Sequence, residues 1–572
     1  MTGPARPVEP VAHHAVRDAA SIYLREHADG TPLFPAGAFA SDTSQLRRAR
    51  RLESWDGDRA ALADFLTAQS AGVTAQSTTV DGLSAQNAVA GGLYPAQVDN
   101  LRAAARPDSL FVLTGQQPGL LGGPALALHK ALTTVAWARD AAVRLGRPVI
   151  PVFWIAGDDS DLPESNAAEF LEPGAVSTTV SLDFADAADA IPMSLRILDE
   201  AACRALRASL PASWSPAARA IVDACYVPGL SLTGAFHAVM HKMLGAQGLL
   251  FVDGLAVAQR PEAQAILRRV AADTASFHEA LLRGTTRLRE TLALPAQVPV
   301  RPGTVPLFLF DRQRRERLYV SDSGRVYVAG HEAQDLRPLL AERTLLHSAL
   351  TRPLVVDTVF PTLGHVLGPA ELRYFAQLAD VFPAFDCGFP LLAPRQQALT
   401  VPRSGLRALE TLGFQAAELS DLRPSRVRAR LTDAAWAGHA AAAAFPEAEH
   451  ARFRETLAAY QAQFFPAAGN RFDAARRRLD RAVGRYRDTA RALVFAEAGQ
   501  ERFQAQQPLL RWLAGGSQDR HLNTLSLWNA WNTREARSEG AFDAYVSALI
   551  RTGDDVSVFV PESSAGEEGA RA

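Results

Sequence analysis

A strand, a glycine-rich turn and a helix follow one another between residues 110 and 145, and this succession constrains the fold most. The apolar run Leu110–Leu113 leads into Thr114-Gly-Gln-Gln-Pro-Gly-Leu-Leu-Gly-Gly-Pro124, and a helical stretch then extends from Ala125 to about Arg144. A second apolar run follows it at 149–156. Strand, crossover helix and strand make a βαβ unit, so the sequence predicts an α/β protein with a parallel sheet.

Three more apolar runs extend this pattern and are predicted to be strands: Leu249–Asp253, Pro353–Asp357 and Pro390–Pro394. Two segments interrupt it, near residues 165–245 and 290–345, and the second is typical of a β meander. We therefore expect residues 1–401 to form an α/β core with two insertions.

Beyond residue 402 the chain becomes rich in Ala, Arg and Glu. Phe453, Leu457, Tyr460 and Phe464 recur at steps of four, three and four, which is the spacing of a coiled-coil seam. A second series begins at Phe472. We expect an α-helical coiled-coil domain over 402–508, a C-terminal helical segment over 509–560 that packs on the core, and a disordered tail over 561–572. The seam could close within the chain or across a homodimer.

Composition excludes several classes of partner. The formal net charge is −2, and no run approaches 18 apolar residues, so we expect neither nucleic acid nor a membrane as partner. The cysteines Cys203, Cys225 and Cys387 are widely spaced, which argues against disulfides and favours the cytoplasm.

The glycine-rich turn is a candidate anion site. Glycines tolerate positive φ and close approach of a ligand, and free N–H groups at a helix start attract phosphate or carboxylate. Lys130 could reach the same anion. An ordinary tight connection and a solvated lysine are the alternatives. The candidate binding residues here are Thr114, Gly115, Gln116, Gln117, Gly119, Gly123, Pro124 and Lys130.

Polar residues follow the other predicted strands, where ligands of parallel sheets bind. Asp158, Asp159 and Asp161 are the candidate catalytic residues, since adjacent carboxylates can hold a cation or bind an amine. Helix capping is their alternative role. The remaining candidate binding residues, for which capping or a buried ion pair is the alternative, are Arg352, Asp357, Gly368, Pro369, Glu371, Tyr374 and Arg395.

Five segments in this order resemble the bacillithiol-biosynthesis BshC family, whose members are assigned the addition of cysteine. The segments are Thr114–Lys130, Pro151–Asp161, Arg352–Asp357, Pro361–Tyr374 and Pro390–Arg395, and 518–523 resembles a short family segment near the C-terminus. The resemblance implies a Rossmann-like core of the class I aminoacyl-tRNA-synthetase-like type, two connecting-peptide insertions, and a coiled-coil domain associated with dimerisation.

The resemblance also implies a reaction, the joining of L-cysteine to glucosaminyl-malate through an amide. A nucleotide route would activate the cysteine carboxylate with ATP and Mg²⁺; the sequence leaves the cofactor and the metal open. No Ser/His/Asp, H-E-x-x-H or G-x-S-x-G arrangement suggests a covalent intermediate or a zinc enzyme.

This chain departs from the family pattern at some positions. Ser160 stands where the acidic segment of the family usually has histidine, and Val356 stands where the family has glutamine. Two alternatives therefore remain: a ligase or transferase for another amine acceptor, and a catalytically weakened, dimeric binding scaffold.

Overall fold

The computed structural model describes residues 11–13, 19–71, 92–172, 176–184, 190–301, 303–332, 334–401, 407, 409–415, 418, 422–513, 518–531, 546 and 556–559. The chain divides into two compact units. The first comprises residues 1–172, 177–403 and 519–572, and the second comprises 173–176 and 404–518. The expected tail at 561–572 lies outside the described residues.

The described strands are β1 (Val11–His13), β2 (Leu110–Gln116), β3 (Val149–Ile155), β4 (Ala167–Glu172), β5 (Val176–Ser181), β6 (Leu250–Asp253), β7 (Thr304–Asp311), β8 (Arg314–Val320), β9 (Val326–Val328), β10 (Thr344–His347), β11 (Thr362–Leu367), β12 (Leu391–Pro394), β13 (Gln397–Thr400) and β14 (Val556–Phe559).

The described helices of residues 19–384 are α1 (Ala19–Glu26), α2 (Asp42–Arg51), α3 (Arg59–Ser70), α4 (Pro95–Ala104), α5 (Ala125–Leu145), α6 (Leu162–Ser165), α7 (Glu200–Ser209), α8 (Pro216–Cys225), α9 (Leu232–Leu244), α10 (Gly254–Ala258), α11 (Pro261–Ala272), α12 (Thr274–Leu292), α13 (Arg352–Val359), α14 (Pro369–Gln377) and α15 (Val381–Ala384). The later ones are α16 (Pro424–Ala437), α17 (Ala440–Ala443), α18 (Glu447–Phe464), α19 (Gly469–Val494), α20 (Gln500–Leu513), α21 (Gln518–His521) and α22 (Thr524–Trp531).

A five-stranded parallel sheet organises the first unit, in the order β12-β11-β2-β3-β6. Successive residues of β2 face opposite sides of it. Leu110 and Val112 pack in one apolar cluster with Trp137 of α5, while Phe111 and Leu113 belong to the large cluster on the other face. Both faces are covered, which explains why these strands are apolar throughout. The predicted βαβ unit and parallel α/β core are confirmed.

The prediction of a strand at Pro353–Asp357 is wrong, because these residues lie in helix α13. The fourth core strand to appear along the chain is instead β11, which begins at Thr362. A short continuous apolar run has no periodicity that separates a buried strand from a buried helix. Pro353 occupies the second helical position, where proline costs no hydrogen bond. Asp357 therefore does not follow a strand.

Both predicted interruptions of the core carry their own structure. The first contains β4, β5 and helices α7 to α9. The second contains the antiparallel sheet β10-β7-β8-β9, so the predicted meander is confirmed and gains a fourth strand, Thr344–His347. A third sheet pairs β14 with β1 and β13.

The second unit contains a helical hairpin, α18 and α19, joined by a short 3-10 turn at Pro466–Ala468. Ion pairs link the two helices, among them His450 with Asp480 and Arg487 with Glu447. The seam side chains are not covered by the described chain: about half of the surface of Phe453, Tyr460 and Phe464 is exposed. Ion pairs and the stacked rings of Phe465 and Phe472 thus join the two helices, while the seam aromatics of α18 stay about half exposed.

The three cysteines are unpaired in the structure, and Cys203 and Cys225 are buried. In the part of the chain that is described, no helix is both long and apolar enough to cross a membrane.

Candidate active site

A buried ion pair between Lys130 of α5 and Glu371 of α14 lies near the carboxyl ends of β2 and β11. The Lys130 Nζ lies 2.6 Å from Glu371 Oε2, and it also donates to the Gly115 carbonyl at 2.6 Å and to Gln116 Oε1 at 3.2 Å. Glu371 Oε2 accepts the Gly368 N–H at 2.8 Å, just before α14 begins at Pro369. The Lys130 ammonium group is therefore held by the end of β2 and by the start of α14.

Arg352 and Tyr374 extend this network. Arg352 Nη2 donates to the Tyr374 hydroxyl at 2.8 Å and lies 3.8 Å from Glu371 Oε1. Burial opposes ionisation of Glu371, but Lys130 and Arg352 outweigh it and hold the pKa of Glu371 below its usual value. Sequence-predicted residues from β2, α5, α13 and α14 therefore converge on one charged cluster.

The second feature is the pair formed by Asp158 and His347. The Asp158 carboxylate is 1% exposed, and its Oδ2 lies 3.4 Å from His347 Nδ1. Burial raises the pKa of Asp158 to about 7, although Arg315 and Arg352 favour its charged form. Burial, with the same two arginines, lowers the pKa of His347 well below its usual value. A neutral imidazole thus faces a carboxyl group that titrates near neutrality.

Three buried polar atoms around this pair have no hydrogen-bond partner among the described residues: Asp158 Oδ1, His347 Nε2 and Trp154 Nε1. A Cβ placed on Gly254 would stand 2.5 Å from Asp158 Oδ1 and 2.8 Å from Trp154 Nε1. The carboxylate oxygen and the indole nitrogen therefore both lie against the Cα of Gly254, where a larger residue would not fit. Unsatisfied buried groups are costly, so they mark a place where a water or a ligand atom belongs.

Asp159 is held by positive and polar neighbours. Its Oδ1 accepts from Arg315 Nη1 at 2.8 Å, and its Oδ2 accepts from Gln117 Nε2 at 3.1 Å. Gln117 also donates to Glu164. Asp161, by contrast, is exposed and makes no capping bond to α6. The acidic segment therefore splits: Asp158 and Asp159 face the interior, and Asp161 does not.

The glycine-rich turn is not the open anion cradle that the sequence predicts. Gly122 and Gly123 have positive φ as expected, but Gly119 does not; it is required because its Cα approaches Gly123 closely. Pro124 is the N-cap rather than the first helical residue. The N–H of Leu121 donates to the Tyr226 hydroxyl, which is itself buried.

Residues 522–524 cover the start of α5. The Leu522 carbonyl accepts the Ala125 N–H at 2.7 Å, and Asn523 Nδ2 donates to the Gly123 carbonyl at 3.1 Å. The Thr524 N–H donates to the same carbonyl at 2.8 Å. These N–H groups are satisfied internally, and the turn from Leu120 to Gly123 is buried. The expectation of free donors at this helix start is therefore wrong, and the turn instead packs against a distant part of the chain.

Arg395 is in a buried ion pair rather than free for a ligand. Arg395 Nη1 contacts Asp519 Oδ2, which lies 3.5 Å from His129 Nδ1, and the three side chains are at most 3% exposed. Burial opposes the charge on Asp519, but Arg395 dominates and lowers the pKa of Asp519 to about 2.

Asp357 is likewise structural. His365 Nε2 lies 3.0 Å from its Oδ1, and Arg48 Nη2 donates to its Oδ2 at 3.3 Å. Thr114 Oγ1 donates to the Val366 carbonyl at 2.8 Å and joins two strands. These residues stabilise the sheet near the charged cluster.

Sequence reasoning missed His347 and Arg315. Both come from the second insertion, and their partners Asp158 and Asp159 are more than 150 residues away. The signal for His347 is modest: it ends the apolar run Thr344-Leu-Leu-His347.

The described residues contain no group of three His, Cys, Asp or Glu side chains placed to hold a metal ion. Of the carboxylates expected to hold Mg²⁺, Asp159 accepts hydrogen bonds from Arg315 and Gln117, and Asp158 lies beside His347. The residues present do not fit a preformed Mg²⁺ site.

Comparison with known proteins shows the family to which this chain belongs. Residues 23–396 match the family described as bacillithiol biosynthesis BshC, N-terminal Rossmann-like domain. Three relatives are each named "Putative cysteine ligase BshC". The relative from Heliobacterium modesticaldum is 30% identical and aligns with 72% of this chain and 75% of its own. The relative from Geobacillus thermodenitrificans is 27% identical and aligns with 70% of this chain and 73% of its own. The relative from Symbiobacterium thermophilum is 28% identical and aligns with 82% of this chain and 88% of its own. With a Rossmann-like core and a match over more than half of its length, this chain belongs to the BshC family of bacillithiol biosynthesis.

Proposed function

We propose that this protein is a ligase that joins the carboxyl group of L-cysteine to the amine of glucosaminyl-malate, the last step of bacillithiol synthesis. Family membership supports the reaction class, because the relatives carry the name of cysteine ligases. The single observation that carries the assignment to this site is the buried Asp158 carboxyl group, whose Oδ1 has no hydrogen-bond partner among the described residues.

Amide formation requires an uncharged amine. The acceptor ammonium must lose a proton before its nitrogen attacks the activated carbonyl carbon; the C–N bond then forms as the leaving oxygen departs. A base with a pKa near the working pH is the most effective one. Asp158, with a pKa of about 7, fits this role. His347 holds the carboxyl group from its other oxygen and is a positioning residue.

We further propose that ATP activates the cysteine carboxylate, which supplies the leaving group. The Lys130–Glu371–Arg352 cluster is the best-placed source of positive charge at the carboxyl ends of β2 and β11. Fixed charges in a buried site stabilise developing negative charge without reorganising. We assign this role to Lys130 and Arg352.

The assay is direct. Purified protein is incubated with L-cysteine, glucosaminyl-malate and ATP, and the amide is detected by mass spectrometry. We expect product from the parent, and a loss of at least a hundredfold in rate for Asp158→Asn. Asp161→Asn is the matched control, because that side chain is exposed in the same turn, and it should retain full activity. Equal rates in the parent and Asp158→Asn would refute the site.

The two alternatives give different results in the same assay. Product from another amino sugar, with none from glucosaminyl-malate, would indicate a different acceptor. Tight binding of glucosaminyl-malate without product under any condition would indicate a binding scaffold.

We also propose that the chain forms a cytoplasmic homodimer through its helical hairpin. The exposed aromatic residues of α18, Phe453, Tyr460 and Phe464, support this, because a second copy would bury them. Light scattering should give twice the chain mass for the parent, and a monomer for Phe453→Asp/Tyr460→Asp. A monomeric parent would contradict the proposal.

A further inference from the structure

A cavity of about 290 Å³ lies between helix α12 and strands β7 and β8. Phe277 and Leu281 of α12 form one wall, and Phe308 of β7 lies opposite. Asp159 of the acidic turn also lines the cavity, so this space and the proposed active site share a residue. Its volume is at the lower end of the range for small-molecule sites.

Three arginines point into this space. Arg315 and Arg317 alternate with Arg314 and Glu316 along β8, so they share one face of the strand. The Arg315 guanidinium carbon lies 3.7 Å from the centre of the Phe308 ring, and that of Arg317 lies 5.0 Å from it. Arg301 lines the same cavity. The aromatic ring thus supports two guanidinium groups at the cavity wall.

The positive charge of this wall is not balanced within the described residues. Asp159 is the only carboxylate among the described lining residues, and Arg315 already pairs with it at 2.8 Å. Arg301 and Arg317 are in no ion pair within 4.0 Å among the described residues. Partial burial and the two neighbouring arginines lower the pKa of Arg317, although Tyr319 acts to raise it. Burial lowers the pKa of His278, the remaining titratable group, so it adds no charge at neutral pH.

Guanidinium groups bind carboxylates through two parallel hydrogen bonds, and two unpaired guanidinium groups match two carboxylates. We propose that this cavity binds the dicarboxylate part of the substrate through Arg317 and Arg301. If the proposed function holds, on which this identification rests, that part is the malyl group of glucosaminyl-malate. Its amine then extends past Asp159 toward Asp158, where the amide forms.

The test uses L-malate itself as the probe, with calorimetric titration of the full-length protein. We expect the parent to bind malate, and Arg317→Gln and Arg301→Gln each to raise the dissociation constant at least tenfold. Arg314→Gln is the matched control: it removes the same charge from the same strand on the opposite face, and its parent side chain pairs with Glu316. It should bind as the parent does. Arg317 is exposed, so its variant should fold, and a thermal melt checks this.

Three results would overturn the inference. They are no binding of malate to the parent, equal binding in the parent and the two cavity variants, and binding of ADP instead of malate in an Arg317-dependent way.

The failure of the proposed function can be distinguished from the failure of this inference. Malate binding that depends on Arg317 in a protein that makes no amide keeps the cavity and refutes the ligase. Amide formation with an unchanged KM for glucosaminyl-malate in Arg317→Gln keeps the ligase and refutes the cavity.

Discussion

Replacing Asp158 with asparagine should make the protein more stable, and by an amount that grows with pH. The pKa of this buried carboxyl group is about 7, against 3.8 for an exposed one. Between these two values the folded protein keeps the proton that the unfolded chain has released. Stability contributed by the proton is therefore complete below pH 3.8 and is lost as pH rises through about 7.

The size of the effect follows from the shift. One pKa unit corresponds to about 1.4 kcal/mol, so a shift of about three units amounts to about 4 kcal/mol when complete. At pH 5 only about 2 kcal/mol has been lost, whereas at pH 8 the loss is about 4 kcal/mol. Asparagine has a similar shape and no charge to bury. Its advantage over aspartate should therefore increase by about 2–3 kcal/mol between pH 5 and pH 8.

Urea unfolding of both proteins at pH 5, 6, 7 and 8 measures this difference. Burial also raises the pKa of Asp253, to about 6, and the charge of this neighbouring carboxylate is one of the causes that raise the pKa of Asp158. Asp161→Asn, at an exposed position in the same turn, is the matched control. A pH-independent difference for Asp158→Asn would show that Asp158 is ionised in the folded protein at neutral pH, and the assignment of the base would fail.

Two further predictions concern neighbouring positions. Arg395→Met should lower the free energy of unfolding by about 3–5 kcal/mol, because it leaves Asp519 charged and buried without its partner. Arg395→Met/Asp519→Leu should recover most of that loss in urea unfolding; no recovery would mean that the pair is not the source. Gly254→Ala places a methyl group 2.5 Å from Asp158 Oδ1 and should reduce amide formation at least tenfold. Gly484→Ala, which meets no atom within 4 Å, should leave the rate unchanged.

The sequence predicts the core elements well where the spacing of apolar residues and the length of the segment indicate the same secondary structure. The run before the glycine turn, the long helix after it and the next run are continuous segments, and they form β2, α5 and β3. The failure at Pro353–Asp357 has a physical cause: five apolar or capping residues fit a buried helix as well as a buried strand, and only the surrounding sheet decides.

Only the part of the site that lies at the ends of the core elements could be predicted from the sequence. Lys130, Glu371, Arg352 and Tyr374 could be selected because each lies near the end of a core element. The closure of the glycine turn could not be foreseen, because its partner Asn523 is 400 residues away. His347 was hidden for the same reason, since its partner belongs to a different element of the fold.

His347 also bears on the departure at Ser160. The family resemblance places a histidine at that position in the acidic segment, and this chain has serine there. The structure brings the imidazole of His347 to within 3.4 Å of Asp158 from the second insertion. The acidic turn therefore has an imidazole neighbour even though its own histidine is absent.

The central claim, that this protein adds cysteine to glucosaminyl-malate, is tested most directly by thiol profiling in cells that lack it. Mass spectrometry of the deletion strain should show loss of bacillithiol and accumulation of glucosaminyl-malate, both reversed by the parent gene and not by Asp158→Asn. Unchanged bacillithiol in the deletion strain would contradict the account.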